Sequence, residues 1–406
     1  MGRAGQKVIR EDVGLADRIG VGVLAKAFPR ATVEAVIEAA GAREQRVRLL
    51  PAWVVLYYVL ALALFMDMGG ARVMRKLAGT MVWAGRGVSV PTPSEEALSK
   101  ARARLGPVPL RLLFEEVAGP LGTEVDTPGA FWRGLRVTSL DGTTVDAQDT
   151  EANWERFSGP GTKDATGVRL RGGFPQVRLV VLAECGTRAL IGASVGPYSA
   201  GEKTLAAPLL PRLDAGMLVL ADRNFAGYDL WRQAAGTGAA LVWRIGANFA
   251  LPVDEVLSDG TYLSRFKAPR RFARDGAPDA IVRIVEYQLR AEDGSVTETF
   301  ALATTLLDPD RAPARELADL YHQRWQIETA IGALKSGLKG DGVVLRSKTP
   351  DGAEQECWAL LCTYHAIRDV IVAAATLTDA DPLQISFVNA LDAVRGPVGD
   401  RAAFPP

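Results

Sequence analysis

From Leu49 to Met66 the chain runs for eighteen residues without a charge, and an ordinary solvent-facing segment does not carry such a run. As a helix it approaches the lower limit for crossing a bilayer, so it is either a membrane span or a helix buried on every side. Pro51 suits a first helical turn, Arg43, Arg46 and Arg48 precede the run, and Asp67 ends it. Tyr57 and Tyr58 fall mid-span, where membrane helices seldom place them, and no second span of this kind is evident. The expectation is the central helix of a helical domain, with no membrane partner.

Gly and Pro breaks divide the surrounding sequence into helices over 14–27, 31–40, 51–67, 70–87 and 93–119, the last interrupted near Gly106-Pro107. Overall charge is balanced, but residues 1–120 hold 17 basic and 11 acidic side chains, leaving 30 and 36 for the remainder. A basic front part suits a polyanion such as DNA. Residues 1–120 are thus expected to form a helical N-terminal DNA-binding domain. Cys185, Cys357 and Cys362 form no C-x-x-C pair and lie far from any His cluster, which supports neither a zinc site nor a disulfide framework. With no apolar leader in the first twenty residues, the expectation is a cytoplasmic protein, nucleoid-associated if bacterial.

From residue 131 the pattern turns to strands. Leu135–Leu140 reads as a strand ending at Asp141-Gly142, Pro175–Glu184 and Arg188–Val195 as a hairpin, and Met217–Ala221 as a buried strand stopping at Asp222. Helices over 202–213 and from about Gly227, and a strand over 240–245, complete a mixed α/β sheet, whose ligands gather at carboxyl ends of strands. Residues 131–245 would form this sheet and 246–304 a β-rich insertion. A helical part would cover 305–375, with a C-terminal helix and tail over 376–406.

Tyr321, Arg324, Glu328 and Lys335 fall within about 60° of arc on a regular helix. Ile327, Ile331, Leu334 and Leu338 form an apolar stripe beside them. Alone, Arg324 and Glu328 would equally be a surface ion pair, Asp141-Gly142 a turn, and Asp222 a helix cap. Together, two aspartates and a later glutamate suit magnesium, a hard cation that prefers carboxylate oxygens. Two such ions about 4 Å apart serve in-line phosphodiester cleavage and transfer. Arg324 and Lys335 would then grip phosphates, and Tyr321 would hydrogen-bond or stack on a base. His322 and His365 read as packing or hydrogen-bonding residues, Trp154 and Phe157 as core or loop anchors, and Glu202 and Asp149 as weak candidates for an extra carboxylate.

At these residues the chain resembles the insertion-sequence-four (IS-four) DDE transposases. The spacing Y-x2-R-x3-E-x6-K from Tyr321 to Lys335 resembles that family's signature, Asp141-Gly142-Thr143-Thr144 its first acidic motif, and Ala221-Asp222-Arg223-Asn224-Phe225 its second. Arg346-Ser347-Lys348-Thr349-Pro350 and Arg48-Leu49-Leu50-Pro51 are also similar. Asn224 stands where Gly is commoner, a change eased by the tolerance of Asn for left-handed backbone. The resemblance implies a ribonuclease-H-like mixed sheet with flanking helices, interrupted between the second Asp and the Glu by the β insertion. It implies Asp141, Asp222 and Glu328 as a catalytic triad holding two Mg2+ ions, with Mn2+ as a substitute. Tyr321, Arg324, Lys335, Arg346 and Lys348 would contact DNA. The implied activity is cleavage at transposon ends and strand transfer into target double-stranded DNA, within a homodimer or higher oligomer on DNA. A catalytically silent DNA-binding protein and a metal-dependent nuclease without strand transfer are the alternatives.

Overall fold

The computed structural model describes residues 17–396 apart from 47, 81–92, 167–168, 247–248, 250, 275 and 291–295. The front of the chain forms α1 (Asp17–Ala27), α2 (Arg30–Ala39), α3 (Ala52–Leu64), α4 (Gly70–Thr80), α5 (Glu95–Leu105) and α6 (Val108–Val117). The expected continuation of α4 to residue 87 lies outside the described residues. The Ser94 hydroxyl caps α5 by accepting from the Ala97 N–H, Glu95 and Glu96 occupy its first turn, and Arg102 and Arg104 its last. These choices satisfy an orphan amide and complement the helix dipole. Gly106 then turns the chain with φ +67.

Every residue of α3 except Trp53 is buried, as an apolar-all-round helix requires. Pro51 caps it from outside, with φ −65 and ψ 155, instead of occupying its first turn. The Tyr57 hydroxyl inside the run donates to the Phe28 carbonyl. A long helix, α13 (Pro350–Thr378), packs along α3, and the Thr363 hydroxyl reaches the Leu60 carbonyl at 3.4 Å. By length and composition α13 also qualifies as a membrane span, correcting the expectation of no second run. Of its apolar window, 67% is buried within the protein.

The rest of the chain comprises β1 (Phe131–Trp132), β2 (Leu135–Asp146), α7 (Glu151–Phe157), β3 (Gly161–Lys163), β4 (Arg169–Arg171), β5 (Gln176–Glu184) and β6 (Leu190–Pro197). Then come α8 (Glu202–Ala206), β7 (Met217–Ala221), α9 (Tyr228–Ala235) and β8 (Ala240–Ile245). Next are β9 (Glu255–Val256), β10 (Tyr262–Phe266), α10 (Arg270–Arg274), β11 (Ala280–Arg290) and β12 (Val296–Thr304). Then α11 (Ala314–Tyr321) and α12 (Trp325–Gly332) precede α13, and α14 (Phe387–Arg395) follows it. A ten-stranded sheet runs β6-β5-β2-β7-β8-β12-β11-β10-β9, with β1 beside β2. Antiparallel pairing joins β6, β5 and β2, while β7 and β8 continue parallel to β2. That order makes the first five large strands a ribonuclease-H-like mixed sheet with helices on its faces.

The strands of 246–304 do not stand apart from this sheet but extend it. β12 pairs antiparallel with β8, from Ala301–Ile245 to Thr304–Val242. Alternation along a strand reveals its faces but not its neighbour, so this docking was invisible in the sequence. Both faces of β7 are buried: Val219 and Ala221 join a core with α8 and α9, while Leu218 and Leu220 pack with Leu317 and Tyr321 of α11. The front helices share one continuous core with β5, α12, α13 and α14.

Candidate active site

The parallel pairing of β2 with β7 ends at Leu140 and Ala221. One residue further along each chain come Asp141 and Asp222, on neighbours that run about 4.8 Å apart where paired. Strand register, not a local motif, brings the two acids together. The turn expected at Asp141-Gly142 does not form. β2 runs on to Asp146, with Asp141 opposite Val181 and Gly142 opposite Val180 of β5. A Cβ on Gly142 would lie 2.6 Å from the Glu202 carboxylate, so any larger residue there would push the end of that side chain aside. Asp222 lies just past β7, where its carboxylate accepts the Asn224 N–H at 2.9 Å. It does not cap α9, whose N-cap is Gly227. Asn224 has no positive φ, so the left-handed geometry anticipated for it does not arise.

The segment bearing Glu328 is not one regular helix. A 3-10 turn over His322–Arg324 joins α11 to α12, and a π-helical stretch over Ala333–Leu338 follows. A wheel with constant pitch therefore misplaces its ends. Tyr321 is buried, not displayed: it is 4% exposed, its hydroxyl donates to the Ala221 carbonyl at 3.3 Å, and burial pushes its phenol well above the usual range. Arg324 faces two acids, pairing with Glu328 and lying 3.8 Å from the Asp141 carboxylate. Burial works against its charge, but Tyr321, Glu328 and Asp141 prevail and hold the guanidinium above its ordinary range. Lys335 lies half-buried in the π-helical stretch.

Arg346 lies away from these acids. Its guanidinium donates to the carbonyls of Phe65, Met66 and Met68, closing the end of α3. That use of the side chain differs from the expected DNA contact. Lys348 is exposed, and its carbonyl accepts from the Thr150 hydroxyl at 3.0 Å. Asp149 accepts from the Trp154 indole and Glu202 pairs with Arg178, so both are engaged elsewhere. His365 is buried, which lowers it to about 4, while His322 is exposed at the cleft. Phe157 belongs to the core.

Asp141 has a carboxyl raised to about 6. Burial is the main cause, Asp222 and Glu328 add to it, and the Gly142 N–H and Arg324 oppose it. The pocket therefore disfavours the negative charge it contains, and a cation would relieve that cost. Among the described residues no three His, Cys, Asp or Glu side chains are drawn close enough to hold a metal ion, and Arg324 is the cation between Asp141 and Glu328. The all-carboxylate donor set nevertheless fits a hard divalent ion. Beside the acids lies a cleft of about 340 Å³, lined by Asp222, Arg223, Arg244, Phe300, Tyr321, His322, Arg324 and Trp325. Sequence reasoning missed Arg223, Arg244, Phe300 and Trp325 as lining residues. Trp325, 62% exposed next to Arg324, and Arg223, next to Asp222, could have been suspected from adjacency. Arg244 stacks on Phe300 at 3.9 Å, a pairing created by β8 meeting β12.

Residues 132–365 match the sequence model of the transposase DDE domain, and residues 18–115 match that of the insertion element 4 transposase N-terminal region. Transposase InsG for insertion sequence element IS4, from Escherichia coli (strain K12), is 29% identical over 301 residues, covering 73% of this chain. The match spans 66% of that relative's own length. A cryo-EM structure of the piggyBac transposase synaptic complex with hairpin DNA is 9% identical, with a TM-score of 0.46 over 93% of this chain and 79% of that one. So distant a likeness carries no argument. The two family matches do: the chain belongs to the DDE transposases of the IS4 type.

Proposed function

We propose that this protein is a metal-dependent DNA transposase that cuts phosphodiester bonds at the ends of a mobile element and joins the freed ends to target DNA. Dependence on a divalent metal is general for DDE transposase domains. Here Asp141, Asp222 and Glu328 would hold it, Mg2+ by preference and Mn2+ as a replacement. When bound, such ions activate the attacking oxygen and stabilise the leaving one. Arg324 holds Asp141 and Glu328 toward each other before DNA arrives and offers its remaining donors to a phosphate. Lys335 adds a point charge along the same strand, and Trp325 provides an exposed ring at the cleft for a base. Tyr321 supports the end of β7 from below and so steadies Asp222. The substrate would be double-stranded DNA, with two copies of the chain bringing two ends together.

The observation that carries this reading is the register of β2 and β7, which sets Asp141 beside Asp222, together with the Arg324 link from Asp141 to Glu328. Incubation with labelled element-end DNA and Mg2+ tests it. The expected result is nicking at the element boundary, reduced about 10³-fold in Asp222→Ala, the scale of losing a group that acts in the transition state. Pre-cleaved ends should also join to a target plasmid. Absence of boundary nicking would overturn the proposal, and nicking without joining would reduce it to a nuclease.

A further inference from the structure

The short helix that carries Glu328 is α-helical only over Trp325–Gly332, between a 3-10 turn and a π-helical stretch. Two changes of pitch interrupt the regular ladder, so the rotation of α12 rests on the packing of Ile327 and Ala330 in the core and on its side-chain contacts. A side-chain tie supplies what the backbone does not. Gln326, between Arg324 and Glu328 in sequence, accepts from Arg188 Nε at 2.9 Å and Nη2 at 2.7 Å on the same amide oxygen. Arg188 occupies the turn between β5 and β6 with φ +58, a conformation glycine adopts more easily. That turn is held in place from a third element. The Arg188 carbonyl accepts from the Tyr364 hydroxyl at 3.0 Å, and that hydroxyl accepts from Nε of the fully buried Arg368 at 3.0 Å.

We propose that Arg188 is a positioning residue that fixes α12, and with it Glu328, against the strands carrying the two aspartates. This rests on the metal-binding role proposed above for Glu328. Groups that orient metal-binding side chains from behind typically affect metal affinity or activity about 10–100-fold.

The test uses the full chain with Arg188→Met, Gln326→Met and the double variant. Mn2+ affinity is read from the electron paramagnetic resonance of the free ion, nicking from labelled end DNA, and folding from thermal melts. Gln326→Met guards against misfolding of the turn variant, because Gln326 is only half-buried on its helix. Each single variant should weaken Mn2+ binding and slow nicking by about 10–100-fold while DNA-end binding is unchanged. The double variant should be no worse than the singles, because they break one contact. Arg188→Lys should recover part of the loss. Unchanged Mn2+ affinity and nicking in both single variants, with an active parent, would overturn the positioning role alone. So would losses that multiply in the double variant. A parent chain that neither binds Mn2+ nor nicks DNA would remove the proposed function, and the positioning role with it.

Discussion

The two aspartates and the glutamate are held by different kinds of support. Asp141 lies within β2 and Asp222 just past β7, strands whose parallel pairing is regular up to Leu140 and Ala221, with both faces of β7 buried. Glu328 belongs to a run that is α-helical, then 3-10, then α-helical, then π-helical, tied to its surroundings by Arg324 and by Gln326. Backbone hydrogen bonds thus fix one half of the site, and side-chain contacts the other. A strand platform cannot shift one acid without disturbing a ladder, whereas the orientation of α12 depends on how its buried Ile327 and Ala330 pack and on its side-chain contacts.

Breaking the platform should have the largest effect on stability. Leu218→Ala, at a fully buried position of β7, should lower the unfolding free energy by about 2–5 kcal/mol in chemical denaturation. A loss below about 1 kcal/mol would mean that β7 is not the rigid half. Next comes the charge stored on that platform. The Asp141 carboxyl is raised from 3.8 to about 6, so between those values the folded chain binds more protons than the unfolded one. Stability contributed by that proton is complete below about pH 4 and is lost as pH rises through 6. In metal-free buffer, Asp141→Asn should therefore stabilise the chain by about 3 kcal/mol at pH 8 and by progressively less toward pH 4, as read from melts. A gain independent of pH would contradict the buried charge. The smallest effect concerns the helix side. Arg324→Lys keeps a charge but cannot span Asp141 and Glu328 with one fork, so nicking should slow about tenfold, near 1.4 kcal/mol. Full activity in that variant would show that the planar geometry is dispensable.

The same contrast explains what was legible in the sequence. The apolar run of β7 and its stop at Asp222 follow from composition alone, as does the burial of α3 on all sides. The spacing of Arg324 and Glu328 survives because four residues make one helical turn even where the segments around it change pitch. The passage of β2 through Asp141-Gly142 did not show, because pairing with β5 overrides the local preference of Asp-Gly for a turn. Neither did the use of Arg346 on α3 or of Arg188 on α12. Both join residues 138 or more positions apart, and no local pattern encodes such partners.

The docking of β12 on β8 carries a consequence for anyone shortening this chain. β8 is apolar along Leu241, Val242 and Trp243, all fully enclosed, and β12 occupies the hydrogen-bonding side that would otherwise be bare. Excising residues 246–304 to obtain a minimal nuclease would leave a sticky, unprotected strand ready to recruit another molecule. Such a trimmed protein would precipitate before its chemistry could be assayed. A usable miniature would have to keep β12, or blunt β8 with charge.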